Sequence, residues 1–171
     1  MRERPSWDEY FMSQAVLAAT RSPCLRRQTG AVLVKNKLSF STGYNGPPPG
    51  VPHCDEIGGC QRIKGNLPHG AHQAQCRAIH AEQNAIIHAA VLGVSTTGSS
   101  LYTVWSPCTV CVRMIHTAKI RNIFYLFEYP DQAADELIQQ SGLHVCNLGD
   151  HYPELRKKAE SGLFCLQKDQ K

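Results

Sequence analysis

The sequence predicts an α/β protein built on one mixed sheet with helices on both faces. Three observations carry that expectation: the order of its periodic segments, a length that suits one domain with a full core, and an ordinary globular composition. The chain has 171 residues, 42% hydrophobic and 19% charged. Its 13 glycines and 10 prolines are an average load, which argues against wholesale disorder.

The elements follow in order. Residues 6–20 read as a helix: Ser6 can cap it, and Tyr10, Phe11, Gln14, Leu17 and Ala18 repeat at helical spacing. Residues 30–35 form an apolar run typical of a buried strand, and Asn36 and Lys37 can turn it into a second strand over 38–43. Residues 44–77 are irregular, rich in proline, glycine and asparagine, and hold Cys54, Cys60 and Cys76. A loop this long inside a compact domain needs something to organise it, and a bound metal would do so. Regularity then returns, with a helix over 79–92, a strand over 99–105, a helix over 107–119, a strand over 121–127, a helix over 131–140 and a strand over 143–148. From Pro153 the basic residues Arg156, Lys157 and Lys158 suggest a solvated helix. The whole chain, 1–171, is expected to be a single domain, with its core over 7–148 and a basic C-terminal tail over 149–171.

Charge and hydropathy exclude several function classes. The formal net charge is +4, compatible with an anionic small molecule and too weak to indicate a nucleic-acid binder. The longest apolar runs, 15–19 and 89–94, are far short of the ~18 residues a membrane span needs. The first residues contain no apolar segment of the secretory type, so a cytoplasmic location is expected. In that reducing compartment eight cysteines point to metal ligands or reactive thiols, although Cys146 and Cys165 have no ligand-spaced neighbours and read as small hydrophobes.

Two short motifs carry the chemistry: His80-Ala81-Glu82, and Pro107-Cys108-Thr109-Val110-Cys111. Each is ordinary alone, and their relative placement is what matters. A helix over 79–92 runs about 21 Å away from His80. The following strand, 99–105, runs about 23 Å back. The second helix therefore begins at the same end of the sheet as the first, where open α/β sheets bind ligands. Ser106 can cap that second helix and Pro107 can open it, which sets Cys108 and Cys111 three apart on one face. One histidine and two cysteines leave a fourth zinc position for water, the catalytic arrangement. The positive end of the helix favours the thiolate form that binds metal. Glu82 is the proton shuttle; on an inward stripe with Ile79, Gln83, Ile86 and Ala90 it would be desolvated and its pKa raised. The competing reading of Glu82 is an exposed first-turn glutamate that serves the helix dipole.

Cys24, Cys54, Cys60 and Cys76 remain after this pair is removed, and all flank or lie within the irregular segment. A four-thiolate structural zinc would order that segment and brace the helix bearing His80.

His-x-Glu followed by Pro-Cys-x-x-Cys is the described signature of zinc nucleobase deaminases. The match extends through residues 21–26, Thr29-Gly30-Ala31, Thr42-Gly43-Tyr44-Asn45-Gly46, His53-Cys54, residues 79–86, Tyr102-Thr103 and Ser106-Pro107-Cys108. Over about residues 7–145 the chain resembles the deoxycytidylate (dCMP) deaminases of the bacterial and phage type, which include the late-competence-operon deaminases. The resemblance implies a three-layer α/β/α, cytidine-deaminase-like fold with a five-stranded mixed sheet. It implies zinc-dependent conversion of dCMP to dUMP with release of ammonia, supplying thymidylate synthesis. By position, Asn45 would hold the deoxyribose, the Ala81 N–H and the Ser106 backbone would read the cytosine edge, and Arg26 and Tyr129 are candidates for the 5′-phosphate. Similar deaminases often carry a second zinc with varying ligands, so His53, His69 or His72 can replace one cysteine there. The resemblance further implies a homo-oligomer, with a hexamer favoured, and control by dCTP and dTTP with Mg2+ near the 43–50 loop. Pro47-Pro48-Pro49 departs from the pattern in that loop. Thr117-Ala118-Lys119-Ile120 departs in lacking a glycine where the second motif helix ends, so its C-cap should differ. The alternatives are a related deaminase acting on another cytosine nucleotide or nucleoside, or on tRNA adenosine, and a non-catalytic zinc module that binds nucleic acid or protein. A strand-binding enzyme should cluster basic and aromatic residues around its site.

Overall fold

The structure is a computed structural model that describes residues 4–67 and 75–162. Helix α1 (Trp7–Ala19) is followed by the hairpin β1 (Gly30–Lys35) and β2 (Leu38–Tyr44), and then by the short α2 (Gln61–Lys64). Next come α3 (Ala81–Val91), β3 (Ser100–Trp105), α4 (Thr109–Thr117), β4 (Asn122–Phe127), α5 (Gln132–Ser141) and β5 (His144–Asn147). Helices α6 (Leu148–His151) and α7 (Pro153–Gly162) close the described chain.

The five strands form one sheet in the order β2-β1-β3-β4-β5. β1 runs antiparallel to β2 and β3, whereas β3, β4 and β5 are parallel. Asn36 and Lys37 turn the hairpin at φ 52° and 60°, the left-handed pair that matches strand twist. Side chains alternate between two cores as a strand dictates. Val32, Val34, Tyr102 and Val104 face α1, where Phe11, Met12, Ala15 and Ala19 pack on them. Ala31, Leu33, Leu101 and Ile123 face Ala81, Ala85 and Ala89 of α3 and Cys111 and Ile115 of α4. The expected three-layer, five-stranded architecture is the observed one.

Two glycines set how closely these layers approach. A Cβ at Gly30 would stand 2.1 Å from the Ala15 carbonyl oxygen, and one at Gly43 would stand 2.2 Å from that of Ala81. Only a bare backbone admits α1 and α3 this near the sheet. The same closeness explains why α3 presents alanines to it.

Three expectations need correction. The buried stripe of α3 is Ala81, Glu82, Ala85 and Ala89, whereas Ile79, Gln83 and Ile86 are half-buried and Ala90 is exposed. Close packing selected the small residues, which hydrophobicity ranking undervalues. Helix α4 begins at Thr109 rather than at 107, so Ser106 does not cap it. Its first N–H, on Thr109, instead donates to the Asp131 carboxylate at 2.9 Å. The C-terminal helix is more than a solvated face: Ala159 of α7 is wholly buried in the α1-side core.

Candidate active site

The site lies where α3 and α4 begin, at the carboxyl end of β3. His80 is the N-cap of α3. Its approach is fixed by a backbone bridge in which Ile79 and Gly46 exchange N–H···O bonds of 2.8 and 3.2 Å. Its own N–H donates to Gln83 Oε1 at 2.9 Å, so the helix start and the ligand are held together. On the other side, the Ser106 N–H donates to the Phe127 carbonyl at 2.8 Å, and the Tyr129 N–H donates to Ser106 Oγ at 2.7 Å. Ser106 therefore ties the β3–α4 turn to the segment leaving β4. Cys108, the N-cap of α4, and Cys111 in its first turn are both buried.

His80 Nδ1 stands 3.4 Å from Cys108 Sγ and 3.4 Å from Cys111 Sγ. Zinc bound tetrahedrally at ordinary bond lengths separates such nitrogen and sulfur atoms by about 3.6 Å, so the three donors fit that ion. Their proton chemistry agrees. A hydrogen bond from Cys111 and the neighbouring His80 bring the Cys108 thiol down to about 4, and the bond to Cys108 raises His80. Cys111, donating to that thiolate and buried, is pushed up. A thiolate at Cys108 is the form that binds a divalent cation. Among the described residues, these three are the only group of three or more ligand-type side chains whose donor atoms all lie within 4.8 Å of one another.

Glu82 is 5% exposed, so it is no surface glutamate. Burial pushes its carboxyl up to about 7, against the pull of His80. It can hold or release a proton near neutrality, as a general acid–base group must.

A cavity of about 120 Å³ opens onto this cluster. Asn45, Ala81, Ser106, Arg26 and Tyr129 all line it. Asn45 has structural work as well: its Oδ1 accepts from Thr29 N at 2.8 Å and Ser22 Oγ at 2.7 Å, and its Nδ2 donates to the Arg27 carbonyl at 2.9 Å. The asparagine thereby clamps the 22–29 loop and keeps one further N–H donor. Arg27, Arg62 and Trp105 also line the cavity and were not anticipated. Trp105 was legible, because it ends β3 at the sheet edge where ligands bind. Arg27 lies in a loop and Arg62 in the four-residue α2, too short to carry a periodic signal.

The other cysteines are placed differently. Cys24, Cys60 and Cys76 line the same cavity, and Cys54 sits near them. Burial, then Cys60, Cys24 and Cys76, raise the Cys54 thiol. His53 is exposed, and His69 and His72 lie outside the described residues. No helix among the described residues is long and apolar enough to cross a membrane.

Comparison with known proteins agrees with this geometry. The family model for the cytidine and deoxycytidylate deaminase zinc-binding region matches residues 5–127. The chain is 39% identical over 147 residues to a deoxycytidylate deaminase of Schizosaccharomyces pombe, covering 84% of this chain and 44% of that protein. It is 39% identical over 144 residues to ComE operon protein 2 of Bacillus subtilis, covering 84% of this chain and 71% of that one. The chain thus spans under half of the yeast relative and most of the bacterial one. The crystal structure of dCMP deaminase from the cyanophage S-TIM5, in complex with dCMP and dUMP, superposes with a TM-score of 0.69 at 31% identity, covering 85% of this chain and 99% of that chain. The chain belongs to the cytidine and deoxycytidylate deaminase family.

Proposed function

We propose that the chain is a single zinc-dependent deaminase domain that converts dCMP and water to dUMP and ammonia, supplying dUMP for thymidylate synthesis in the cytoplasm. The observation that carries this reading is a buried carboxylate, Glu82, two residues from a ligand in an intact His80, Cys108 and Cys111 cluster at the floor of a cavity. Zinc would be held by His80, Cys108 and Cys111 and would supply Lewis acidity that makes water a better nucleophile near neutral pH. The residues do the rest. Glu82 takes one proton from the attacking water and passes it to the pyrimidine ring nitrogen; it then takes the second proton from the new C4 hydroxyl and delivers it to the amino group, which leaves as ammonia as the C4 carbonyl forms. The Ala81 N–H and the Ser106 backbone hold the cytosine edge, Asn45 holds the deoxyribose, and Arg26 and Tyr129 stand at the phosphate end. The S-TIM5 relative, solved with dCMP and dUMP, supports this substrate class.

A second zinc held by Cys24, Cys54, Cys60 and Cys76, or with His53, His69 or His72 in place of one, belongs to the same proposal. It is supported by the gathering of these thiols around Cys54. A homo-oligomer, with a hexamer favoured, and regulation by dCTP and dTTP with Mg2+ complete it.

One observation favours the strand-binding alternative: Arg26, Arg27, Arg62, Trp105 and Tyr129 do cluster at the site. All five stand on the cavity wall, which suits one nucleotide better than a tracked backbone. Ammonia release from a panel of dCMP, deoxycytidine, cytidine, dCTP and a tRNA anticodon stem, with and without dCTP and dTTP as effectors, tests the reading. Turnover favouring dCMP is expected; preference for the RNA or for an unphosphorylated nucleoside overturns it.

A further inference from the structure

A second concave site lies at the end of the sheet opposite the catalytic cluster, a β4 length or about 20 Å away at the strand rise. A cleft of about 440 Å³ opens there between the ends of α4 and α5 and the starts of β4 and β5. Its wall carries four basic side chains, His116, Lys119, Arg121 and His144, and, among the described residues, no carboxylate. Groups gathered this way ordinarily meet acidic partners or cap a helix end. Neither holds here. None of the four forms an ion pair or a side-chain hydrogen bond among the described residues, and His144 makes only a 6.2 Å edge contact with the Phe124 ring. The end of α4 is capped without them. The Ile115 and His116 carbonyls accept from the N–H groups of Ile120 and Lys119 at 3.2 and 3.1 Å. The Ala118 carbonyl accepts from Thr96 Oγ1 at 2.6 Å, and that of Lys119 from the Gly98 N–H at 2.8 Å. Lys119 moreover stands at φ 60°, where glycine is favoured, so a charged side chain is held there against backbone strain.

We propose that this cleft binds the oligophosphate group of a phosphorylated small molecule, at a site separate from the catalytic cavity. Four positive or proton-donating groups with no carboxylate among them repel one another until an anion of several charges joins them. The Arg121 guanidinium presents a planar fork that matches two phosphate oxygens, and Lys119 adds a compact charge. Imidazole N–H groups of His116 and His144 can meet further oxygens. Asn122 gives one Nδ2 hydrogen to Ser100 Oγ at 3.0 Å and keeps a second for the cleft. A concave site assembled from several chain segments suits a compact anion. A nucleic-acid strand would instead need a basic track running on past the cleft.

Backbone hydrogen exchange in the zinc-loaded protein, read peptide by peptide, tests the site. The probes are inorganic tripolyphosphate and ATP, at concentrations that leave the zinc content unchanged. Each should slow exchange over residues 116–122 and 141–144, and the effect should saturate. Arg121→Gln should weaken the apparent affinity by about 10-fold or more, the worth of charge-assisted hydrogen bonds. Lys119→Gln combined with Arg121→Gln should abolish the effect. Both side chains are exposed, so these variants should fold, and their ammonia release without a probe should match the wild type. Tighter binding of ATP would make the ligand a nucleotide, and equal binding a free oligophosphate; either supports the site. Slowing that survives in the double variant, that is confined to the segments lining the catalytic cavity, or that is absent at millimolar probe overturns the proposal. So does a single-stranded DNA oligonucleotide that protects the same residues at lower concentration than either probe, which would make the cleft part of a strand surface. None of these outcomes bears on the deaminase reading.

Discussion

The two cysteine-rich regions of this molecule are organised by opposite means. His80, Cys108 and Cys111 sit at the starts of two helices that pack on the same sheet, and their donor atoms already stand 3.4 Å from the histidine. Cys24, Cys54, Cys60 and Cys76 sit on loops and at the edge of the four-residue α2, near one another but not assembled at ligand distance among the described residues. Backbone hydrogen bonding and close packing fix the elements that carry the first site's ligands. In the second, the ion itself would supply the order, as in small metal-folded modules. The first site's ligands therefore ride on regular elements, whereas those of the second ride on loops.

The largest effects come from breaking the preorganised site. Glu82→Gln should retain zinc while turnover falls by about two to four orders of magnitude, because a proton shuttle goes and no ligand does. Cys108→Ala should lose zinc and turnover together. Metal analysis beside ammonia release separates the two, and near-normal turnover in Glu82→Gln would remove the shuttle role.

The second site is the sharper test of the comparison. Elemental analysis should find about two zinc ions per chain, and Cys54→Ser should bring this to about one. The variant should keep the catalytic zinc and lose protection of residues 50–67 from proteolysis. One zinc in the wild-type protein, with Cys24, Cys54, Cys60 and Cys76 all freely alkylated while it is folded, would leave the loop without a metal.

The same contrast governs what could be read from the sequence. Strands, helix order and the catalytic triplet were legible because periodicity and spacing are local, and because a helix and a strand of matched length return the chain to one edge. The face of α3 was misjudged: close approach at Gly43 demands alanines, and apolarity ranking prefers isoleucine. The cap of α4 was misassigned because its partner, Asp131, arrives from 22 residues downstream. Arg27 and Arg62 reach the cavity wall from a loop and a single helical turn, which no local pattern encodes. The Gly43-Tyr44-Asn45-Gly46 segment marks the resemblance, and the structure supplies its physics: a close approach, a clamp and a bridge to Ile79.

Asp131 offers a smaller effect on the preorganised side. Its carboxylate accepts from the Thr109 N–H and hydroxyl, at 2.9 and 2.6 Å, and from Ala134 N at 3.2 Å, so it caps α4 and α5 together. Desolvation raises its pKa, but the bonds from Thr109, Ala134 and Ala133 outweigh it, and the net shift is downward. A carboxyl lowered on folding contributes stability that is fully present above its unfolded value of about 3.9 and is lost as pH falls through the folded one. Asp131→Ala should cost about 1–2 kcal/mol at pH 7 and less in acid, read by denaturant melts at both pH values. An equal cost at both would mean the carboxylate charge contributes nothing.

The smallest effect lies at the other end of α4. The sequence there lacks the glycine that commonly follows such helices, and the chain turns with Lys119 at φ 60° instead. A non-glycine residue in the left-handed region costs roughly 1 kcal/mol through the crowding of its Cβ. Lys119→Gly removes that strain but admits a looser unfolded chain, which returns part of the gain. The net expectation is about 0.5 kcal/mol of added stability, or a Tm rise of about 1–2 °C. Lys119 is exposed, and its backbone bonds to His116 and Gly98 need no side chain, so zinc content and turnover should not move. A lower Tm in the glycine variant would mean that the lysine side chain stabilises the fold by more than its backbone strain costs. An unchanged zinc content with a higher Tm would place the strain of α4 at its far end, away from the metal, as a site built on regular elements requires.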